Sequence, residues 1–358
     1  MAAPPPFACQ YQPQFAELLH RLGCTLALST YQAGKLIFLS ATGPDKLVQL
    51  PRTFDKVMGI AAHPDGRGLA LACRHEIVVF ARHDELARTY PKAPGRYDAL
   101  YLPRLSYHTG PLDVHDLHYG ADGRLYAVNT LFSCLMTLGD RHNFVPYWRP
   151  DFITALAPED RCHLNGLALE NGVPRYATAF GTGDTPKSWR ARVTETGVVF
   201  DVTTNDVLAT GLAMPHTPRL YDGALYVLLS ARGELVRIDR STGAVKTVVR
   251  PGGFLRGMTR VGDYLFIARS KLRKGSSTFA QLDLPAATNR ASIVAVHLPT
   301  AAIAGEITWL SSLDEIYDLH ALPGVHRPNI LSTRTEDHRL ALTTPENSFW
   351  ARPTKAGD

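Results

Sequence analysis

The sequence has no apolar run approaching the roughly 20 residues that a helix needs to cross a bilayer. Its first ten residues, Met1–Gln10, lack a basic stretch followed by an apolar core, so a secretory signal is not expected. It has no CxxC pair. Cys9, Cys24, Cys73, Cys134 and Cys162 are odd in number and widely spaced, which argues against a disulfide framework. Free, buried thiols in a reducing compartment follow, and with them a cytoplasmic location. A nucleophilic Cys162 served by His163 is disfavoured, because neighbours on a strand point to opposite faces. Charge of one sign is also scarce. A formal net charge of +5 over 358 residues, without a block of like charge, gives no reason to expect nucleic acid, and no membrane partner is expected.

What is present is a series of short strands rich in Val, Ile, Leu and Tyr, cut by Gly, Asp and Pro. Helical spacing is confined to Phe15–Gly23, inside an N-terminal extension of residues 1–23. Residues 24–358 read as one all-β domain. Six units recur: Met58-Gly-Ile, His115-Asp-Leu-His-Tyr, Asn165-Gly-Leu, Thr217-Pro-Arg-Leu-Tyr, Arg256-Gly-Met and Tyr317-Asp-Leu-His. Five run into a tight turn at Asp65-Gly, Asp122-Gly, Asn171-Gly, Asp222-Gly or Gly262-Asp, then into a second strand. Blade repeats of roughly 40–50 residues have this form. A six-bladed β-propeller is expected. Leu26–Ser40 lacks an inner strand of its own, and Tyr317–Leu322 is a spare one, so the two termini should close the ring in one blade. Asn329-Ile-Leu-Ser-Thr is a further strand candidate that would alter the count.

On a propeller, inner-strand starts from different blades meet at the axis. The stretch Tyr107–Gly120 is the densest in such chemistry, with His108, Asp113, His115, Asp116 and His118. His115, His163 and His216, with Asn165, form a candidate shell for one divalent ion: zinc, iron, copper, manganese or calcium. Structural histidines that tie blades together are the alternative. Asp113 or Glu315 would act as base and Arg256 as electrostatic stabiliser. His108, Arg74, Asn129, Arg161, Trp189, Arg190, Lys271 and Arg273 lie on loops above and are candidate substrate contacts. The arginines and lysines point to an anionic ligand. The long loop Ser270–Ser292 is a candidate lid. His118 and His320, inside their strands, read as structural.

The Asn-Gly-Leu starts and Asp-Gly-x-Leu-Tyr hairpins resemble the gluconolactonase, regucalcin and strictosidine-synthase group of six-bladed propellers. That resemblance implies one ion in the channel held by Glu, Asn or Asp at inner-strand starts, and Asn165 fits it. A much closer resemblance is to a bacterial propeller family of unknown function. It rests on Ser29-Thr-Tyr-Gln-Ala-Gly-Lys-Leu36, Tyr107–Leu117, Val128–Ser133, Pro158–Leu167, Met214–Arg219 and Glu315–Asp318. It implies the fold and brings no reaction with it.

The function expected is therefore a metal-dependent enzyme, of hydrolase, lyase, isomerase or oxidase type, acting on a small or peptide-borne anion in the axial pocket. The alternative is a non-catalytic module that presents the same face to a protein or peptide.

Overall fold

A computed structural model describes residues 4–272, 278, 282 and 284–351. Six antiparallel sheets are arranged as a six-bladed β-propeller. Blade 1 is Ile60–Ala62, Gly68–Ala72, Glu76–Arg82 and Ala99–His108. Blade 2 is Val114–Tyr119, Leu125–Asn129, Cys134–Thr137 and Val145–Trp148. Blade 3 is Leu164–Glu170, Val173–Ala179, Gly197–Asp201 and Val207–Leu212. Blade 4 is Pro215–Tyr221, Ala224–Leu229, Glu234–Ile238 and Val245–Val249. Blade 5 is Phe254–Val261, Tyr264–Ser270, Ser292–His297 and Ala302–Trp309.

Blade 6 closes the ring as expected. Its inner strand, Asp318–Pro323, pairs with Cys24–Thr30, which leads to Lys35–Gly43 and Lys46–Thr53. Leu26 faces Ala321 and Ser29 faces Asp318 in the register. Every residue of Cys24–Thr30 is buried, so closure places an apolar strand that would otherwise be an exposed edge inside the ring. The strand around Asn329 leaves the blade count unchanged. Pro328–Ile330 lies parallel to Ala99–Tyr101 as a fifth, outer strand of blade 1. Cys9–Tyr11 is the fifth, outer strand of blade 5, antiparallel to Ile307–Trp309. The helix Pro13–Arg21 buries Ala16 and sets Phe15, Leu18 and Leu19 in a cluster with Leu26, Ile37, Phe266 and Ile307. The two termini thus clasp the blades on either side of the closure.

Turn chemistry follows the sequence closely. Asn171-Gly172 and Asp222-Gly223 have positive φ at both residues, the requirement of the tightest hairpin turn. Asp65 and Asp122 instead accept the backbone N–H two residues on, from Arg67 and Arg124.

Around the axis the six blades follow a threefold order. His115, His216 and Tyr317 stand at equivalent, evenly spaced positions in blades 2, 4 and 6. The next residues, Asp116, Thr217 and Asp318, accept the backbone N–H of Leu167, Gly257 and Ile60 in the following blades. Blades 1, 3 and 5 answer with Gly59, Gly166 and Gly257. A Cβ on Gly257 would meet the Leu319 nitrogen at 2.7 Å, and one on Gly166 would meet Pro218 Cδ at 2.4 Å. Glycine is what lets adjacent inner strands touch. A second set of links joins blades farther out: the hydroxyls of Ser29, Thr130, Ser230 and Ser270 donate to the carbonyls of Met58, Leu164, Leu255 and Ile316.

Candidate functional site

The axial residues are set by breaks in the strand ladder. Register shifts fall at the inner-strand entries of blades 2, 3, 4 and 5, between Leu117 and Val114, Leu164 and Gly166, His216 and Arg219, and Leu255 and Met258. A bulge leaves its extra residues out of the pairing and re-aims their side chains. Asp113, His163 and Met214, just ahead of these entries, have φ of 56°, 52° and 55°. Such left-handed backbone at non-glycine residues is uncommon and clusters at functional sites.

The bulges set the three candidate histidines at two different levels. His115, Asn165 and His216 are the true counterparts. Each lies within reach of the carbonyl two residues back: His115 Nδ1 of Asp113 at 2.9 Å, Asn165 Nδ2 of His163 at 3.2 Å, and His216 Nδ1 of Met214 at 3.3 Å. His163 belongs one step farther out, with Asp113 and Met214. Its Nδ1 meets the Asp160 carboxylate at 3.0 and 3.2 Å. A carbonyl or carboxylate only accepts, so Nδ1 carries the proton in all three rings and Nε2 carries the lone pair.

The His115 and His163 rings meet in a cavity of about 190 Å³ on the axis. Asp113, His115, His163, Trp189, Arg190 and Arg256 line it, all of them expected from sequence. Tyr31, Met58, Phe180, Met214 and Tyr317 also line it and were not expected. The His163 ring packs against both Phe180, stacked at 4.5 Å, and Trp189 at 4.3 Å, which also touch each other, and its edge-on neighbour is His115 at 4.9 Å. Trp189 Nε1 donates to the Asp160 carbonyl, which fixes the loop that carries the carboxylate. Asp160 is the chief residue that sequence reasoning missed. Its only sign was a carboxylate three residues before a histidine.

Arg256, buried, donates to His216 Nε2 at 3.2 Å and lies over the Tyr317 ring at 4.5 Å. Glu315, also buried, is 3.8 Å from its NH1. The Arg256 Nε is buried and has no hydrogen-bond partner among the described residues. His216 and Asn165 lie deeper, around a small enclosed space shared with Asp116, Arg219 and Asp318. Burial pushes the His115 imidazole down to about 4, with His163 and Arg256 adding to the effect and Asp113 opposing it. Burial and Arg256 also hold His216 well below its ordinary value. Both are neutral near pH 7, when they can accept protons or coordinate.

The tautomers suit metal ligation, but the placement does not make the expected shell. Among the described residues no group of three or more His, Cys, Asp or Glu side chains is set to hold an ion. Arg256 occupies His216 Nε2, and the Phe180 ring stands against both His163 and His216. Asn165 Oδ1 is taken by the Thr178 hydroxyl.

Other expected contacts lie elsewhere, because partners from distant segments hold them. Arg161 is shared by Glu159 and Asp184 at 2.8 and 2.7 Å. Arg74 pairs with Asp55, and Lys271 with Asp314. Asn129 is fully buried and caps a turn through the Phe132 N–H. His108 lies in a separate groove with His142 and Asn143. Arg273 falls outside the described residues. The long loop does reach the site: Thr278 lines the cavity, and Leu272, Leu282 and Leu284 pack on Phe180, Trp189, Met214 and Phe254. All five cysteines are free. Burial pushes the Cys162 thiol up to about 12, far from a nucleophile.

Among the described residues, no helix is long and apolar enough to cross a membrane. No curated protein matches the sequence. Solved structures match in fold. A chain of the nidogen/laminin complex aligns with a TM-score of 0.55 at 10% identity, covering 84% of this chain and 99% of that one. A protein of unknown function from Bacteroides caccae aligns at 0.51 and 8%, covering 84% and 98%. An inactive virginiamycin B lyase from Staphylococcus aureus, solved with quinupristin, aligns at 0.44 and 12%, covering 84% and 99%. At these identities the likeness concerns the fold alone. The family is shown by sequence: over residues 13–331 the chain matches, and so belongs to, the family described as Domain of unknown function (DUF4915).

Proposed function

We propose that this chain is an enzyme that binds a small or peptide-borne anion in the axial cavity and moves a proton there with His163. The observation that carries the reading is the Asp160–His163 pair. The carboxylate fixes the imidazole as the Nδ1–H tautomer and leaves Nε2 as a base for the cavity. Beside it, Arg256 offers an unpartnered, buried Nε–H to an acceptor. Arg190 adds positive charge at the rim. An anion held on Arg256 would place its neighbouring carbon or leaving group next to His163, which suits elimination, isomerisation or hydrolysis. Lactonase chemistry of the gluconolactonase type forms no part of the proposal.

The divalent ion expected from the three imidazoles is a separate proposal, and no step above depends on it. One experiment addresses both. Wild-type protein and His163→Ala are analysed for bound metal and titrated calorimetrically with a panel of small carboxylates and acidic peptides. Each mixture is then followed for consumption by mass spectrometry. Turnover lost in His163→Ala, with binding kept, supports proton transfer. Tight binding without turnover by either protein overturns the enzyme reading in favour of a binding module. A stoichiometric ion that disappears with His163 adds a metal to the chemistry.

A further inference from the structure

We propose that the opposite mouth of the channel is a second binding site, for a small organic monocarboxylate with an apolar body. This inference does not rest on the enzyme reading. The cavity there measures about 420 Å³, more than twice the axial one and within the range of small-molecule sites, roughly 300–1,000 Å³.

Its floor follows from the threefold order. One turn of strand below Asp116, Thr217 and Asp318 come His118, Arg219 and His320, again at equivalent positions of blades 2, 4 and 6. Sequence alone makes His118 and His320 structural, yet both face this cavity. Arg260 and His63 join them on the wall. No Asp or Glu lines the space. The balancing carboxylates lie outside the lining: Asp116, buried, holds Arg219 at 2.9 Å, while Asp222 and Asp65, both exposed, hold Arg260 at 2.5 Å and His63 at 2.7 Å. The surface presented to a ligand is therefore basic, with its charges compensated by carboxylates that do not line the cavity. Among the described residues His118 Nε2 is buried with no hydrogen-bond partner, 3.2 Å from Asp116 Oδ1 but outside hydrogen-bond geometry.

The rest of the wall is apolar, with Met258, Leu322 and Val325 among its residues. The Tyr101 and Tyr221 rings complete it. Such a wall gains from covering a hydrocarbon or aromatic body and offers nothing to a hydrated one. Charge is limited in the same way. Arg219 NH1 already serves Asp116 and the carbonyls of Leu167 and Pro218. Few donors remain, so a singly charged carboxylate fits better than a phosphate, whose three oxygens would go unmet.

Calorimetric titration with phenylacetate, and with phenylacetamide as its uncharged counterpart, tests the site. Phenylacetate should bind wild-type protein and the amide should not. Arg260→Gln should weaken binding at least about tenfold, since a hydrogen bond to a charged group is lost. Ala62→Trp, which fills the cavity from its half-exposed rim, should abolish binding. Arg256→Gln removes the axial cavity's own anion contact, so any binding event there is lost, and the event governed by Arg260 and Ala62 should remain. Circular dichroism confirms that each variant is folded; if Arg260→Gln is not, Ala62→Trp carries the test. No binding by wild-type protein, equal binding of the amide, or binding that survives Ala62→Trp and fails in Arg256→Gln would each overturn the proposal.

Discussion

The Arg256 guanidinium donates to Nε2 of His216 at 3.2 Å, and this one bond decides how the axial histidines can be used. It takes up the lone pair that a metal ion would need. It also fixes the guanidinium over the Tyr317 ring, with Nε left without a partner. A cation held this way is pre-organised for an incoming anion, because its orientation cost is met on folding.

Arg256→Gln should therefore weaken binding of small anions in the axial cavity by at least about tenfold, the effect of losing a charge-assisted contact. The fold should survive, since the inner-strand links of Thr217 and Asp318 do not involve Arg256. Competition titrations with a panel of carboxylates read the first expectation and thermal unfolding the second. Unchanged anion affinity would show that the axial cavity takes its ligand by other groups.

Asp160→Ala should release the His163 tautomer. In wild-type protein, long-range proton–nitrogen NMR correlation should show His163 protonated on Nδ1 and bare on Nε2. The variant should show a mixture, because the acceptor 3.0 Å from Nδ1 is gone. A mixture already present in the wild type would remove the basis for assigning Nε2 as the base.

Much of the fold was legible because local chemistry enforces it. Asp-Gly and Asn-Gly turns cut the strands, and the missing inner strand before Leu26 demanded a partner from the far end of the chain. The site was legible only as a neighbourhood. A bulge adds a residue without a signal in composition, so the repeat units set Thr217 opposite His115 and Asn165 when His216 is their counterpart. Ion pairing was equally hidden. Arg161 and Arg74 have the composition of ligand contacts, but Asp184 and Asp55 reach them from separate loops. The threefold order was masked because Thr217-Pro-Arg219 stands where the other even blades have Asp-Leu-His.

The glycines of the odd blades should be far less replaceable than those at hairpin tips. A Cβ at Gly257 would stand 2.7 Å from the Leu319 nitrogen and 2.9 Å from Asp318 Cα, at a φ of 71°. Backbone cannot yield there without opening the seam between blades 5 and 6, so Gly257→Ala should cost several kcal/mol. Gly66 has a similar φ of 72° but open space around it. Gly66→Ala should cost only about 1–2 kcal/mol, from the left-handed backbone alone. Urea unfolding midpoints compare the two. Equal losses would mean that the seam relaxes.

Acid should destabilise the protein through the axial histidines before any carboxylate pairing is lost. His115 is held near 4 in the fold by burial, against 6.5 when free, and His216 also lies well below 6.5. Between about 4 and 6.5 the unfolded chain takes up protons at these positions and the native protein does not. Stability must then rise with pH across that window, by at most about 1.4 kcal/mol per pH unit for each group. Asp318 works in the opposite direction. Burial and the nearby Asp116 raise its carboxyl from 3.8 to about 6, with Arg219 opposing, so the native state keeps a proton that the unfolded chain has released. Its contribution falls as pH rises from about 4 to 6. With His320, which burial also holds near 4, three histidines against one carboxyl leave a net gain with pH. Unfolding midpoints measured from pH 4 to 7 should climb. His115→Asn should flatten the climb, and Asp318→Asn should steepen it by removing the opposing group. A slope unaffected by His115→Asn would show that this imidazole is not held neutral at the axis.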